Sequence, residues 1–256
     1  NRSQDGRLEV QFAPYALGAT RLTTTFGVEG GHQDLTAPSP ENPGTLDNGL
    51  FNPNSNARIA AYLFNDFALT PTTRAQIAGR IEHVWLDGTM PDFPADFMPD
   101  GTPQAASARS PSFTPVSGSI GLLQNLPGGL VASITGQYIE RAPKPAELFS
   151  RGAHDATGTF DIGNPNLRIE AAQSIEIGLR RATGPLRFAA TAFYTRFNNF
   201  IYRRLTGAVC DDDFSSCQSG NANPGNQLNQ AVYSQRDAIF RGGEFQAQLD
   251  VAPLFA

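Results

Sequence analysis

The links between strand-like segments constrain the fold more than any other feature of this sequence. Alternation of apolar and polar residues with a period of two marks nine candidate strands. They lie near Leu8–Ala13, Thr20–Glu29, Ala57–Leu69, Arg74–Asp87, Phe113–Gln124, Leu130–Arg141, Ala172–Arg181, Leu186–Tyr202 and Val232–Val251. The links that join them are alternately short and long, without exception. An up-and-down order of strands would gather all the tight turns at one end of the sheet and all the long loops at the other.

The alternation of short and long links distinguishes two classes of β-protein. Transmembrane barrels have short turns on one side of the membrane and long loops on the other. A soluble sandwich with Greek-key crossings has no reason to keep that order, and loops of about 25 residues without obvious structure are uncommon in compact soluble domains. We therefore predict an all-β fold, an antiparallel up-and-down transmembrane β-barrel segment. A soluble β-rich protein is the alternative.

Charged side chains fall on one face of the predicted strands and aliphatic side chains on the other. In the segment Arg74–Asp87 the apolar face carries Ala75, Ile77, Gly79, Ile81, His83 and Trp85. The opposite face carries Arg74, Gln76, Arg80 and Glu82. A cationic side chain on the lipid side near the midplane would cost about 2–4 kcal/mol. The charged face is therefore predicted to line the lumen.

Two local features suggest where the wall meets the membrane surface and where a strand bends. Aromatic residues gather near the long-loop end of the eighth candidate strand: Phe193, Tyr194, Phe197, Phe200 and Tyr202. They predict an interfacial aromatic girdle, with a soluble aromatic core patch as the alternative. The pair Gly242 and Gly243 inside the last candidate strand predicts a β-bulge.

Composition and motifs narrow the class of function. The 25 Gly, 19 Pro and 18 Phe suit many strands separated by turns. No run of 18 or more apolar residues is present, so no transmembrane helix is expected. The net charge of -5 and the lack of basic runs interleaved with aromatics argue against nucleic acid as a partner. No nucleophile motif, phosphate loop or carboxylate pair stands out, so neither an enzyme nor a bound cofactor is expected.

The number of candidate strands bears on whether the barrel is whole. Bacterial single-chain barrels usually have an even number of strands and no free edge. An edge in lipid leaves backbone N–H and C=O groups unpaired, at several kcal/mol each. About nine strands therefore lead to the expectation of a barrel that is open because the chain is truncated at both ends.

Three blocks of the second half of the chain carry a resemblance to a known family. The first block is Arg141-Ala142-Pro143-Lys144-Pro145-Ala146-Glu147-Leu148-Phe149. Arg141 and Glu147 bracket its turn and are expected to form a structural pair. The second runs from Gly152 to Leu167, through His154 and Gly163-Asn164-Pro165-Asn166, and is followed by Glu170. The third comprises Phe193-Tyr194, Phe197-Asn198-Asn199-Phe200-Ile201-Tyr202, Tyr233-Ser234-Gln235 and Gly243-Glu244. Together they resemble the TonB-dependent outer-membrane receptors, and most closely the branch that includes zinc receptors.

The resemblance implies an architecture and a set of partners. It implies a 22-stranded barrel with an N-terminal plug inside it, ligand capture from outside, and an inner-membrane complex that pulls on the plug through TonB. Residues 1–256 would then be a partial β-barrel domain, without the plug domain and the C-terminal closing strands. The expected partners are outer-membrane lipid, the missing plug, the TonB complex and a metal or metal-chelate ligand.

Candidate metal ligands lie in the long loops. His154 beside Asp155 offers an imidazole and a carboxylate, which both suit zinc. The alternative is that these two residues only shape the loop or pack it, because a zinc site needs three or four ligands. His32 with Asp34, in the first long loop, is a weaker version of the same pattern.

Cys210 and Cys217 flank a short acidic stretch that begins with Asp211, Asp212 and Asp213. In an oxidising compartment, two nearby cysteines in a loop predict a disulfide. The alternative is capture of a metal by the cysteines and the aspartates.

The sequence thus predicts part of a receptor in the outer membrane of a Gram-negative bacterium. Its function would be TonB-coupled active uptake of a metal ion or metal chelate, zinc or siderophore-type, with zinc first by resemblance alone. The alternatives are a passive porin-like channel and a soluble extracellular β-rich binding protein. An outer-membrane hydrolase ranks below both, because it predicts a catalytic Ser-His or His-Asp constellation at the barrel rim and no nucleophile motif accompanies the His-Asp pairs.

Overall fold

The wall of the protein is an antiparallel sheet of nine long strands. The computed structural model describes residues 1–37, 49–220 and 227–251. The strands are β1 (Arg2–Gln11), β2 (Thr20–Ala37), β3 (Phe51–Ala68), β4 (Thr73–Met90), β5 (Val116–Leu126), β6 (Leu130–Arg141), β7 (Glu170–Arg181), β8 (Leu186–Asp211) and β9 (Gln227–Leu249). All nine predicted strands are confirmed.

The strands pair in sequence order, from β1 to β9, and each neighbouring pair is antiparallel. Within the described residues the path is open rather than a closed ring. The predicted tight turns are present after β3, β5 and β7. In the first of them, the amide of Leu69 donates to the carbonyl of Thr73 at 3.0 Å. The up-and-down meander inferred from the links is therefore the observed topology.

The two faces of the sheet differ as predicted. Aliphatic side chains in register across four strands point outward and stay exposed, including Ile77 (45%), Ile120 (61%) and Ile177 (57%). The opposite face carries ion pairs, such as Arg80 with Glu29 and Glu82. An apolar outer face and a charged inner face suit a wall between lipid and a polar lumen.

Several strands continue well past their predicted ends. The strand β2 was expected to end at Glu29 and reaches Ala37, while β8 was expected to end at Tyr202 and reaches Asp211. His32 and Asp34 therefore lie in a strand and not in a loop. The extension of β8 and β9 forms a tall hairpin above the shorter strands β5, β6 and β7.

The predicted bulge at Gly242 and Gly243 is wrong, because the ladder between β8 and β9 is regular there. The register shifts instead between Phe197 and Phe200, where Asn199 adopts a φ of 55°. Gly242 serves packing: a Cβ at that position would lie 3.0 Å from the ring of Phe193.

The aromatic residues of β8 do not all point to lipid. Phe193 lies opposite Glu176, on the polar face, whereas Tyr194 lies opposite Ile175, on the apolar face. Phe197, Phe200 and the β9 residue Phe240 form a cluster with ring centroids 5.1–5.3 Å apart. Among these residues, the register supports only Tyr194 as a member of an outward girdle below the bulge.

The long links contain short elements of their own. The one α-helix of the described residues is α1 (Pro145–Phe149), and no helix among them is long and apolar enough to cross a membrane. The other short elements are the strands Tyr15–Leu17, Ser107–Arg109, Ser112–Phe113, Arg151–His154, Thr159–Ile162 and Cys217–Ser219 and the 3-10 turns Ala95–Phe97, Pro127–Gly129 and Asp155–Thr157. Strand Thr159–Ile162 pairs in parallel with β9 and in antiparallel with Arg151–His154.

Candidate functional site

Three long links pack together at the long-loop end of the wall. We refer to residues 91–106, 142–169 and 210–217 as the loop assembly. Its first apolar cluster joins Leu148 and Phe149 of α1 to the inner face of the wall. The wall and loop residues in this cluster are Val84, Leu86, Met90, Leu167 and Ile201, all buried. The helix is thereby held against β4, two strands away from the strand that leads into it.

The second apolar cluster consists of aromatic rings from all three links. Phe97 comes from the first link, Phe160 from the second and Phe214 from the third. The Phe160 ring centroid lies 5.5 Å from that of Phe97 and 4.8 Å from that of Phe214. Phe93, Ile162 and Cys210 complete the buried set. Such aromatic contacts add to the stability gained by burial alone, so the three links form one packed body.

Phe214 reaches this cluster through an unusual backbone geometry. It has a φ of 65°, which is uncommon for a bulky residue. Gly152, with a φ of 91°, faces the ring, and a Cβ at residue 152 would lie 2.4 Å from the Cζ of Phe214. The guanidinium of Arg151 stacks over the ring at 5.0 Å. Gly152 therefore leaves the space that the ring of Phe214 needs, at a backbone angle that glycine adopts without strain.

A buried ion-pair network fixes the base of the loop assembly. Arg141 donates to Glu147 at 2.9 Å and to both oxygens of Glu170, at 2.9 and 3.1 Å. Glu147 also accepts from the amide of Lys144 at 2.8 Å, and Glu170 from the amide of Ile201 at 2.6 Å. The expected structural pair of Arg141 and Glu147 is thus confirmed. Removing one partner of such a network leaves a buried charge uncompensated.

The first two blocks that carry the family resemblance meet in this region. The amide of Gly163 donates to the carbonyl of Ser150 at 2.8 Å, and that of Asn164 to the carbonyl of Glu147 at 3.0 Å. The side chain of Asn164 also donates to the carbonyl of Tyr233 at 3.1 Å. The second block therefore satisfies carbonyls of α1 and ties it to β9. The first and second blocks are therefore in direct contact and form one packed unit.

His154 lies in this unit, but its partner is not the one that the sequence suggested. Its Nδ1 is 3.0 Å from Oδ2 of Asp161, which is fully buried. Asp161 also accepts from Thr159 at 2.7 Å and from Arg203 at 3.3 Å. The side chain of Asp155 lies outside the described part of the chain. Asp161 was missed because it sits between Phe160 and Ile162, and no sequence pattern connects it to His154 across the turn.

The structure gives a limited set of metal-ligating groups. Among the described side chains, no group of three or more His, Cys, Asp or Glu residues could hold a metal ion. His32 and Asp34 are paired at 3.0 Å, with both side chains about half exposed on the extension of β2. The assignment of His154 and Asp155 as zinc ligands remains a prediction.

Cys210 and Cys217 are joined by a disulfide, with Cα atoms 4.1 Å apart. The acidic residues between them are used to shape the tip. Asp211 accepts from the hydroxyls of Ser216 and Ser215, and these hydrogen bonds lower the pKa of Asp211. Hydrogen bonds from Ser215 lower the pKa of Asp213. With the cysteines bonded to each other, their thiolates are not free to bind a metal.

Beside the segment that leads into α1, the inner face of the wall carries a partly open cavity of about 300 Å³. Its lining includes Arg58, Arg80, Glu82, Arg141 and Lys144. The site region therefore consists of a charged, partly open concavity in the wall next to the loop assembly.

Comparisons with known proteins give this architecture a family. The family model for TonB dependent receptor-like β-barrels matches residues 1–255. Among solved structures, the Serratia marcescens hemophore receptor HasR, in complex with its hemophore HasA and heme, superposes with a TM-score of 0.72 at 15% identity, covering 96% of this chain and 39% of that receptor.

Two further structures give the same fold. The copper transporter OprC has a TM-score of 0.58 at 16% identity, covering 96% of this chain and 34% of its own. The ferric enterobactin receptor PfeA of Pseudomonas aeruginosa has a TM-score of 0.56 at 19% identity, covering 95% and 33%. The chain thus spans between a third and two fifths of the length of these receptors. It belongs to the TonB-dependent receptor family, as β-barrel wall in the outer membrane of a Gram-negative bacterium, and is not an enzyme.

Proposed function

We propose that the receptor to which this wall belongs performs TonB-coupled active uptake of a metal ion or metal chelate. One observation carries the proposal. The wall aligns over nearly its whole length with receptor barrels whose names specify heme, copper and ferric enterobactin. In this proposal, a plug domain occupies the lumen and the TonB complex acts on that plug.

Zinc is the first ligand to test, with siderophore-type ferric chelates second. His154 supports a role in metal capture, because Asp161 holds its Nδ1 at 3.0 Å and leaves Nε2 free to bind. The imidazole is also accessible, since about a third of its side chain is exposed. Asp161 does not itself complete a metal site, since Arg203 and Thr159 occupy its oxygens. The remaining donors would come from a chelate or from other parts of the receptor.

Transport is tested in cells that express the full-length receptor. Accumulation of Zn²⁺ and of a ferric catecholate chelate is measured with and without a functional TonB complex. We expect accumulation of one of them to fall to background without TonB. Accumulation that is independent of TonB would instead support a passive channel, and no receptor-dependent accumulation of either probe would refute metal uptake.

The role of His154 is tested separately by metal binding to the purified full-length receptor. We expect His154→Ala to weaken binding of the transported metal or chelate by about tenfold or more, the effect of losing one ligand or its orientation. His83→Ala is the matched control, because His83 is also hydrogen-bonded, to Thr114 at 2.7 Å, but lies on the outward face of β4. Wild-type affinity in His154→Ala would remove His154 from the site while leaving uptake itself untouched.

A further inference from the structure

The two sulfur atoms of the disulfide tip, residues 210–217, lie in different surroundings. Cys210 is fully buried in the second apolar cluster of the loop assembly, whereas Cys217 is only partly buried beside it. Disulfides are opened by a thiolate that has to reach one of the two sulfur atoms. Cys217 is therefore the sulfur that a small thiol can approach, and Cys210 is the one that would leave.

A buried amide group faces both sulfur atoms. The Nε2 of Gln230, a residue that is 2% exposed, lies 3.6 Å from Sγ of Cys210 and 3.8 Å from Sγ of Cys217. The same nitrogen donates to the carbonyl of Phe97 at 2.8 Å, and the amide oxygen accepts from the hydroxyl of Thr206 at 2.7 Å. A hydrogen bond to the charged form of a group favours that form. Gln230 is thus placed to stabilise the thiolate that leaves from Cys210.

Phe214 connects the disulfide tip to the hairpin that carries His154. It lies between the two cysteines in sequence, and its ring centroid is 4.8 Å from that of Phe160. Phe160 precedes Asp161, whose carboxylate is 3.0 Å from Nδ1 of His154. A bulky residue with a φ of 65° keeps that conformation only where its surroundings impose it. Opening the disulfide removes one constraint on the tip, so its effect is expected to pass from Phe214 through Phe160 to His154.

The charge of the tip determines which thiols can approach it. Asp211, Asp212 and Asp213 follow Cys210 directly, inside the ring that the disulfide closes. Hydrogen bonds lower the pKa of Asp211 and of Asp213, so these carboxylates are charged at neutral pH. Their negative charge repels an attacking thiolate. The repulsion is weaker for cysteamine, whose ammonium group offsets the thiolate charge, than for glutathione, which carries further carboxylates.

We propose that the disulfide tip is a thiol-sensitive latch that controls the order of the loop assembly. The thiolate of a small thiol attacks Sγ of Cys217, the S–S bond breaks, and Cys210 leaves as a thiolate that takes up a proton. A second thiol attacks the mixed disulfide, so the protein disulfide is reduced to two thiols while two small thiols are oxidised to one disulfide. Phe214 then leaves the ring cluster, and the hairpin that carries His154 loosens. An effect on ligand capture rests on the proposed function, whereas the loosening itself does not.

The loosening is measured without ligand on the purified full-length receptor in detergent, before and after treatment with cysteamine or glutathione. The readouts are the rate at which diethylpyrocarbonate modifies His154 and the hydrogen exchange of residues 151–162. We expect both to rise about fivefold or more on reduction, and cysteamine to reduce the disulfide faster than glutathione at equal thiolate concentration. Salt should narrow the difference between the two thiols, because it screens the charges of the tip. Modification of His83, on the outward face of β4, is the internal reference and should not change.

Two variants test whether Phe214 transmits the effect. In Phe214→Ala the hairpin should exchange rapidly before reduction, and reduction should add little. Phe245→Ala removes a ring that is 70% exposed on the outward face and should keep the full response, as the matched control. Heat-modifiable gel mobility shows that each variant is folded. The proposal is overturned if neither thiol reduces the folded receptor, if reduction leaves residues 151–162 and His154 unchanged, or if Phe214→Ala responds as fully as Phe245→Ala.

Ligand binding separates the latch from the proposed function. Affinities for Zn²⁺ and for a ferric catecholate chelate are measured on the oxidised receptor and on the reduced receptor, after its thiols have been alkylated and the small thiol removed. Weaker binding of either probe after reduction supports both proposals. Loosening with unchanged binding supports the latch and removes the hairpin of His154 from the ligand site. Loosening in a receptor that binds neither probe also supports the latch and contradicts metal capture.

Discussion

The wall and the loop assembly are stabilised in opposite ways. In the wall, each strand contacts its neighbours in sequence, and every side chain meets a partner set by the register, as Ile177 meets Ile134. In the loop assembly, Phe97, Phe160 and Phe214 meet across three separate links. The wall distributes its stability over many similar pairs, whereas the loop assembly depends on a few buried rings and one ion-pair network. We therefore expect single substitutions to act locally in the loops and according to facing direction in the wall.

The largest effect is expected from removing the central ring of the loop assembly. Phe160 is fully buried, and Phe160→Ala should lower the free energy of opening of the loop assembly by about 3–5 kcal/mol, the usual effect of such a cavity. Hydrogen exchange in the intact receptor should accelerate in residues 93–104 and 210–217 and stay unchanged in β5 and β6. Phe245→Ala is the control, since Phe245 is 70% exposed on the outward face. Equal acceleration throughout the wall would show that the two regions are one cooperative unit.

The next effect tests the two faces of the wall. Ile177 is outward and lies near the middle of the apolar band, so Ile177→Arg should destabilise the folded barrel in a bilayer by about 2–4 kcal/mol. The adjacent Glu176 faces inward, opposite Phe193, and Glu176→Arg places the same side chain in the lumen at a smaller cost. Denaturant unfolding of the full-length receptor in lipid vesicles measures both. Similar losses in both variants would contradict the assignment of the faces.

The smallest effect is expected at the disulfide tip. Cys210 and Cys217 close a short ring, and opening it should reduce the stability of the tip by about 2 kcal/mol. Because Phe214 lies within the loop that the disulfide closes and contacts Phe160, exchange should rise at residues 211–217 and more weakly around Phe160. Hydrogen exchange should rise to the same extent in the reduced native protein and in the double variant Cys210→Ser/Cys217→Ser. A rise in exchange in the wall below the hairpin would show that the disulfide stabilises more than the tip.

The wall was more predictable from the sequence than the loop assembly was. The strands, their order and their facing were predictable because a period of two is imposed residue by residue. The ends of β2 and β8 were not, because continuation beyond the membrane depends on a partner strand and not on lipid. The bulge was predicted at Gly242 but lies at Asn199. Gly242 instead makes room for the ring of Phe193.

The candidate site shows the same limit. The pairing of Arg141 with Glu147 could be inferred from their positions around one motif turn, and it is present. The partner of His154 could not be, because Asp161 faces it only once strands Arg151–His154 and Thr159–Ile162 form a hairpin against β9. Asp155 was chosen as the partner of His154 because it is the next residue in the sequence. The hairpin instead brings Asp161 close to His154 in space.

The wall could be predicted from the order of residues alone: its antiparallel meander, its charged and apolar faces, and the end at which the long loops gather. These properties follow from local periodicity and link length, which need no knowledge of distant contacts. The packing of α1 against β4, the set of rings that share a core, and the carboxylate that holds His154 became known from the folded structure. Those contacts join residues far apart in sequence, and their energy comes from burial that exists only after the loops have come together.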